Sequence, residues 1–239
     1  MLTTKNRDAS LTLTVLAVVL LVGCAPPGPR AIRDGERLIR QGRFEQAIVR
    51  LEKGVRLLPK NAQAWNYLGL AYHTAGRADE ATRAYQQALV LDRDLAAARY
   101  NLGCLHLERS NPASAIVELT TYTALQPKAG DGWMKLGTAQ LRARQLDAAE
   151  RSFQQAKKLT ARAPEALNGL GLIQVQRRRY TEASQQFSAA LSQQSDYAPA
   201  LLNVAVVSHQ YLNNRAFALQ KYREYLALKP SPVNAANVQ

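Results

Sequence analysis

Cysteine is nearly absent from this chain: two residues in 239, Cys24 and Cys104. So small a number argues for no disulfide framework. Histidine is almost as scarce, with only His73, His106 and His209. The sequence has no phosphate-cradling glycine loop, no His-Glu-x-x-His zinc pair, no Cys-x-x-Cys and no Gly-x-Ser-x-Gly elbow. These absences leave no constellation of paired catalytic roles, so the expectation is a protein that is not an enzyme and has neither cofactor nor metal. Acidic residues are few, 18 against 31 Lys+Arg, and the formal charge of +13 draws the chain toward anionic surfaces. A run long enough to cross a bilayer is also missing. The apolar stretch from Leu11 to Val22, interrupted by Thr12 and Thr14, has about 12 residues where a spanning helix needs about 20.

What is present at the amino terminus has the shape of a secretory signal: Lys5 and Arg7, the apolar run, then Leu21-Val22-Gly23-Cys24-Ala25-Pro26. Ordinary cleavage after Ala25 would leave proline as the first residue, a poor substrate. Leu21-Val22-Gly23-Cys24 instead resembles the lipobox of bacterial lipoprotein signals. That resemblance implies that residues 1–23 are removed, that Cys24 is lipidated on sulfur and acylated on its amino group, palmitate included, and that residues 24–29 are a Pro-rich linker. The expected location is the bacterial cell envelope, lipid-anchored on the periplasmic face of the outer membrane. With Cys24 committed to lipid, Cys104 reads as a small buried apolar residue.

After Gly28 the sequence repeats. Ala47, Ala81, Ala115, Ala149 and Ala183 recur every 34 residues, and Ala218 follows at 35. Gly35, Gly69, Gly103, Gly137, Gly171 and Ala205 form a second ladder of the same period, and Leu51, Tyr85, Leu119, Phe153, Phe187 and Tyr222 form a third. Glycine inside a helix costs about 1 kcal/mol relative to alanine, so five at one register require a packing reason. Pairs of closely approaching antiparallel helices supply one.

The second repeat, with Trp65, Leu68, Gly69, Tyr72, Ala81, Tyr85 and Ala88, resembles the tetratricopeptide repeat family. Six repeats beginning at residues 28, 62, 96, 130, 164 and 198 fill 28–230. The resemblance implies an all-α fold, an α-solenoid wound as a right-handed superhelix of about six helix-turn-helix units. Residues 231–239 form a short tail without a capping helix, which leaves the last repeat open to self-association or to a partner covering Tyr222, Tyr225 and Leu226. Tyr122 and Tyr225 stand where other repeats carry Gly54, Ala88, Ala156 and Ala190. They are expected to push helices apart locally.

Family geometry turns the first helix of each repeat toward a concave groove. The candidate lining residues are Asn66, Leu70, Tyr100, Met134, Asn168 and Leu202, a mixture of apolar and amide groups suited to an extended peptide or partner helix. The family's clamp for C-terminal carboxylates is not expected. Asn101 and Lys135 match its pattern, but Asn66, Leu70 and Asp131 do not. Gly169 and Gly171 read as packing residues, and Trp65 and Trp133 as core aromatics. His73 and His209 lie four repeats apart, too far for a shared metal. A basic rim of Arg142, Arg144, Arg177, Arg178 and Arg179 falls in the turns within repeats, where it would meet anionic lipid or cell-wall polymer. Nucleic acid is not an expected partner. A protein or peptide of the cell envelope is, together with the membrane through the lipid anchor.

Overall fold

The computed structural model describes residues 26–230; Cys24 and the 231–239 tail lie outside them. Among the described residues there are twelve helices and no strand. They run α1 (Pro27–Arg40), α2 (Phe44–Leu57), α3 (Ala62–Thr74), α4 (Ala78–Leu91), α5 (Ala96–Glu108), α6 (Pro112–Leu125), α7 (Gly130–Arg142), α8 (Leu146–Leu159), α9 (Pro164–Gln176), α10 (Tyr180–Gln193), α11 (Ala198–Gln210) and α12 (Arg215–Leu226). Odd-numbered helices are the first of a repeat and even-numbered ones the second.

The turns within the first five repeats close in the same way. Gly42 and Gly76 adopt positive φ, and the next amide returns to the helix five residues back: Arg43 N–H to Leu38 C=O, and Arg77 N–H to Tyr72 C=O. Left-handed closure satisfies carbonyls that a helix end would otherwise leave orphaned, and glycine adopts it without steric cost. Ser110, Arg144 and Arg178 take over this position in the next three repeats, each 34 residues on, with φ from 56° to 60°. In the sixth repeat Asn213 takes it with φ 52°, and the extra residue makes Asn214 N–H reach Ser208 C=O instead. Asn214 then caps α12, its side chain accepting from Phe217 N–H at 3.2 Å.

The glycine ladder and the bulky ladder meet inside each repeat. A Cβ at Gly69 would lie 2.6 Å from the Tyr85 ring, and one at Gly103 2.6 Å from Leu119 Cγ. Removing that carbon lets the second helix drop its large side chain onto the first helix's backbone. Tyr85, Leu119, Phe153 and Phe187 are all buried as a result, worth about 1.5–3 kcal/mol each. Phe153 is held on both sides: a Cβ at Gly137 of its own repeat or at Gly169 of the next would lie 2.9 or 2.5 Å from its ring.

Tyr122 does not meet the neighbour that would force helices apart. Gly132 stands where the second, third, fifth and sixth repeats carry Ala64, Ala98, Ala166 and Ala200, and an added Cβ there would collide with the Tyr122 ring. The large residue is matched by a small one on the next helix. Tyr225 is also accommodated, at 4% exposure.

The chain divides into two compact bodies at Ala98 and Arg99. In the N-terminal body Leu38, Ile48, Leu51, Val55 and Leu68 form the core, with Trp65 and Tyr72 packed against it. In the C-terminal body three clusters follow one another, around Leu119 and Leu136, around Phe153 and Ile173, and around Phe187 and Val204.

Candidate interaction surfaces

Within the N-terminal body, Asn66 is buried at 3% exposure, while Leu70 is half-buried. Within the C-terminal body, Tyr100, Met134 and Leu202 are half-buried and Asn168 is buried. Asn168 Oδ1 accepts from Asn203 Nδ2 at 2.9 Å, across two successive first helices. The row therefore divides into partly exposed apolar residues and buried amides.

Around Tyr100 the C-terminal body gathers a mixed patch. Its ring lies 5.0 Å from that of Tyr122, and it neighbours the Cys104 thiol. Burial pushes Tyr100, Cys104 and Tyr122 above their ordinary pKa values. All three stay protonated at neutral pH, so Cys104 is not an activated nucleophile. The exposed Asp131 and Lys135 supply the patch's charge. It can hold an apolar side chain beside one group of each sign, but it has no acid-base pair for catalysis.

The arginine rim separates into two kinds of residue. Arg177 bridges Glu150 and Asp147 of the preceding repeat, with 2.7 Å to Glu150 Oε2. Arg142 donates to Leu107 C=O at 2.7 Å. Both join repeats. Arg144, Arg178 and Arg179 are exposed, and the first two hold the left-handed turn position.

The scarce residue types have structural roles. Trp65 Nε1 donates to Pro59 C=O and Trp133 Nε1 to Pro127 C=O, at 2.9 and 3.0 Å, tying each first helix to the proline that closes the repeat before it. His73 meets Tyr85 edge-on at 6.4 Å, and His209 meets Tyr222 likewise at 6.2 Å. Burial pushes the His106 pKa down. Among the described residues no group of His, Cys, Asp and Glu could hold a metal ion, and no helix is long and apolar enough to cross a membrane.

Helix pairs of nearly constant length, one turn geometry and glycine-backed ladders define the architecture, and a family model agrees with it. The "Cilia and flagella-associated protein 70 C-terminal domain" model, a tetratricopeptide repeat model, matches residues 30–212. The chain belongs to this tetratricopeptide repeat family. Two curated relatives are Superkiller protein 3 of Schizosaccharomyces pombe, 32% identical over 85 residues (36% of this chain), and Cellulose synthase operon protein C of Escherichia coli K12, 28% identical over 148 residues (61% of this chain). The chain spans only 6% and 11% of their lengths.

Among solved structures, PilW, described as a widely conserved type IV pilus biogenesis factor, superposes with a TM-score of 0.77 at 20% identity, covering 90% of this chain and 99% of that one. Pseudomonas aeruginosa pilF gives 0.71 at 21% identity, covering 88% and 96%. At such identities the likeness establishes the fold. The repeats were legible in the sequence; the burial of Asn66 and Asn168 was not, because a 34-residue period does not say which side of a first helix meets the next repeat.

Proposed function

We propose that this tetratricopeptide protein is a non-catalytic scaffold of the bacterial cell envelope, anchored by lipid at Cys24, that holds a peptide or helix of a partner protein against its first helices. The observation that carries the reading is the partly exposed Tyr100, Met134 and Leu202 at one register of the first helices of the C-terminal body. Half-buried apolar and aromatic side chains beside the opposite charges of Asp131 and Lys135 are suited to an amphipathic ligand. The overall match to a pilus biogenesis factor over most of both chains supports an assembly role in the envelope, and the lipobox-like LVGC supports the anchor.

Photo-crosslinking in intact envelopes tests the binding face. Tyr100→Ala combined with Met134→Ala is expected to lose the partners captured by the unaltered chain, and capture of the same partners by both would refute this face. Cys24→Ser is expected to abolish incorporation of labelled palmitate and release the protein from the membrane fraction.

A second reading, in which the rim binds anionic lipid or cell-wall polymer, is favoured by one observation. Arg144 and Arg178 occupy backbone positions that glycine fills more easily, and both are exposed. Flotation with anionic and neutral vesicles separates the readings: equal recovery with both would remove the lipid version.

A further inference from the structure

Grooves recur at one register, where the first-helix residues Leu38, Tyr72, Gln140 and Gln174, spaced by 34 residues or a multiple, face second helices. In the second repeat the groove is occupied by the protein itself. The Tyr72 hydroxyl donates to Glu52 Oε1 at 2.7 Å, and the Arg77 guanidinium sits 4.6 Å from the Tyr72 ring centroid while pairing with Glu80. About 360 Å³ remains.

In the fourth repeat, Gln140 replaces Tyr72, Ala148 replaces Glu80 and Ser152 replaces Ala84. The groove opens to about 600 Å³. Its walls include Trp133 and Leu136, and its charged lining is Arg151 with no carboxylate.

Ser152 Oγ donates to Gln140 Oε1 at 2.7 Å, and both side chains are buried. This bond commits the carboxamide oxygen and leaves the two N–H donors of Gln140 without a protein acceptor. In the next groove along, Gln174 is among the lining residues, and its Oε1 is buried without a partner. An unmet buried polar group costs about 1–3 kcal/mol, so the Gln174 oxygen favours a ligand that supplies its missing partner, while the Gln140 donors, open to the groove, can bond a ligand acceptor there. Around them Arg151, Lys157 and Lys158 are exposed, whereas Glu150, the carboxylate in the second groove, is engaged by Arg177.

We propose that the second helices α6, α8 and α10 of the C-terminal body carry a docking surface for an extended, acidic peptide segment of a partner protein. A main-chain carbonyl of the segment accepts from Gln140, and an apolar side chain rests on Trp133 and Leu136. Farther along, a main-chain N–H meets Gln174 after its carboxamide turns into the groove. Carboxylates face Arg151, Lys157 and Lys158. Packed helices stand about 10 Å apart, the length of about three residues of extended chain, so successive grooves match main-chain groups of a single segment. A helical ligand satisfies its own backbone groups and would leave the Gln140 donors unmet. This surface is separate from the first-helix row and does not depend on that reading.

The test is a positional-scanning library of acetylated, amidated octapeptides screened against the full chain. Asp or Glu next to Leu, Ile or Val is expected to be enriched, and the selected peptide to shift the side-chain amide resonances of Gln140. Gln140→Leu is expected to weaken binding about tenfold, equal to about 1.4 kcal/mol. Arg151→Glu, an exposed change that leaves the core intact, is expected to switch the selected acid to Lys or Arg. Tyr100→Ala is expected to leave this affinity unchanged, which separates failure of this surface from failure of the first-helix face. No enrichment, a charge preference unaltered by Arg151→Glu, or resonance shifts confined to Tyr100 and Met134 would each overturn the proposal.

Discussion

The second and fourth repeats are built on the same helix pair, yet one fills its own groove and the other leaves it open. Tyr72 spans the gap in the second, bonded to Glu52 and stacked under Arg77. Gln140 in the fourth is shorter, turns its oxygen to Ser152 and leaves donors facing open volume. The turns show a parallel difference: glycine holds the left-handed position in the N-terminal body, and Ser110, Arg144, Arg178 and Asn213 hold it in the C-terminal body. Packing at the glycine ladder is maintained through the first five repeats, so the divergence among them is confined to positions the fold can spare. Departures from a repeat pattern therefore mark where chemistry other than folding acts, and in this chain they concentrate in the C-terminal body.

The largest expected effect comes from breaking what the repeats share. Phe153→Ala would leave a cavity between Gly137 and Gly169 and cost about 3–5 kcal/mol, read as a lowered midpoint in urea. Next is Gly132→Ala, which pushes a methyl group into Tyr122 and should cost about 1–3 kcal/mol. Adding Tyr122→Ala should recover most of that loss, and a double-mutant cycle without coupling would refute the matched-pair explanation.

Exchanging the grooves sharpens the comparison itself. Tyr72→Gln is expected to destabilise the N-terminal body by about 1–2 kcal/mol, because it removes ring packing together with the hydrogen bond to Glu52. The smallest change concerns the turns. Arg144→Gly and Arg178→Gly should each stabilise by about 0.5–1 kcal/mol by relieving left-handed backbone at a side-chain-bearing residue, visible as small rises in Tm.

Alkaline pH provides a further check. Burial, reinforced by the bond to Glu52, pushes the Tyr72 pKa up to about 12. The unfolded phenol ionises near pH 10. Its contribution is therefore intact below about pH 10 and declines as pH rises toward 12. Tyr72→Phe should flatten that decline in urea titrations, and an unchanged slope would show that the phenol is not responsible.

The helix pairs, the turn insertion at Asn213-Asn214 and the packing role of Gly169 were legible because each repeat provides a template against which the others can be read. Placement across a helix was less legible. Asn66 and Asn168 share a register with Tyr100 and Met134 but are buried, and Asn168 is held there by the amide of Asn203. Arg177 looked like part of a binding rim and serves as an inter-repeat clamp, since its partners Asp147 and Glu150 lie 30 and 27 residues away in sequence. The second-helix grooves were missed for a related reason. Gln140, Ser152 and Gln174 are unremarkable singly, and their unmet hydrogen bonds appear only when the helices are assembled. The one available signal was the loss of the family tyrosine after the second repeat.

The most direct test of the claim that this one position decides whether a groove is filled or available is calorimetric titration of the library-selected acidic octapeptide. The unaltered chain and the Gln140→Tyr, Ser152→Ala chain, which places the second repeat's tyrosine and alanine in the fourth groove, would be compared. The account predicts binding to the former, at least about tenfold weaker binding to the latter, and no loss of thermal stability. Equal affinity for both chains would contradict it.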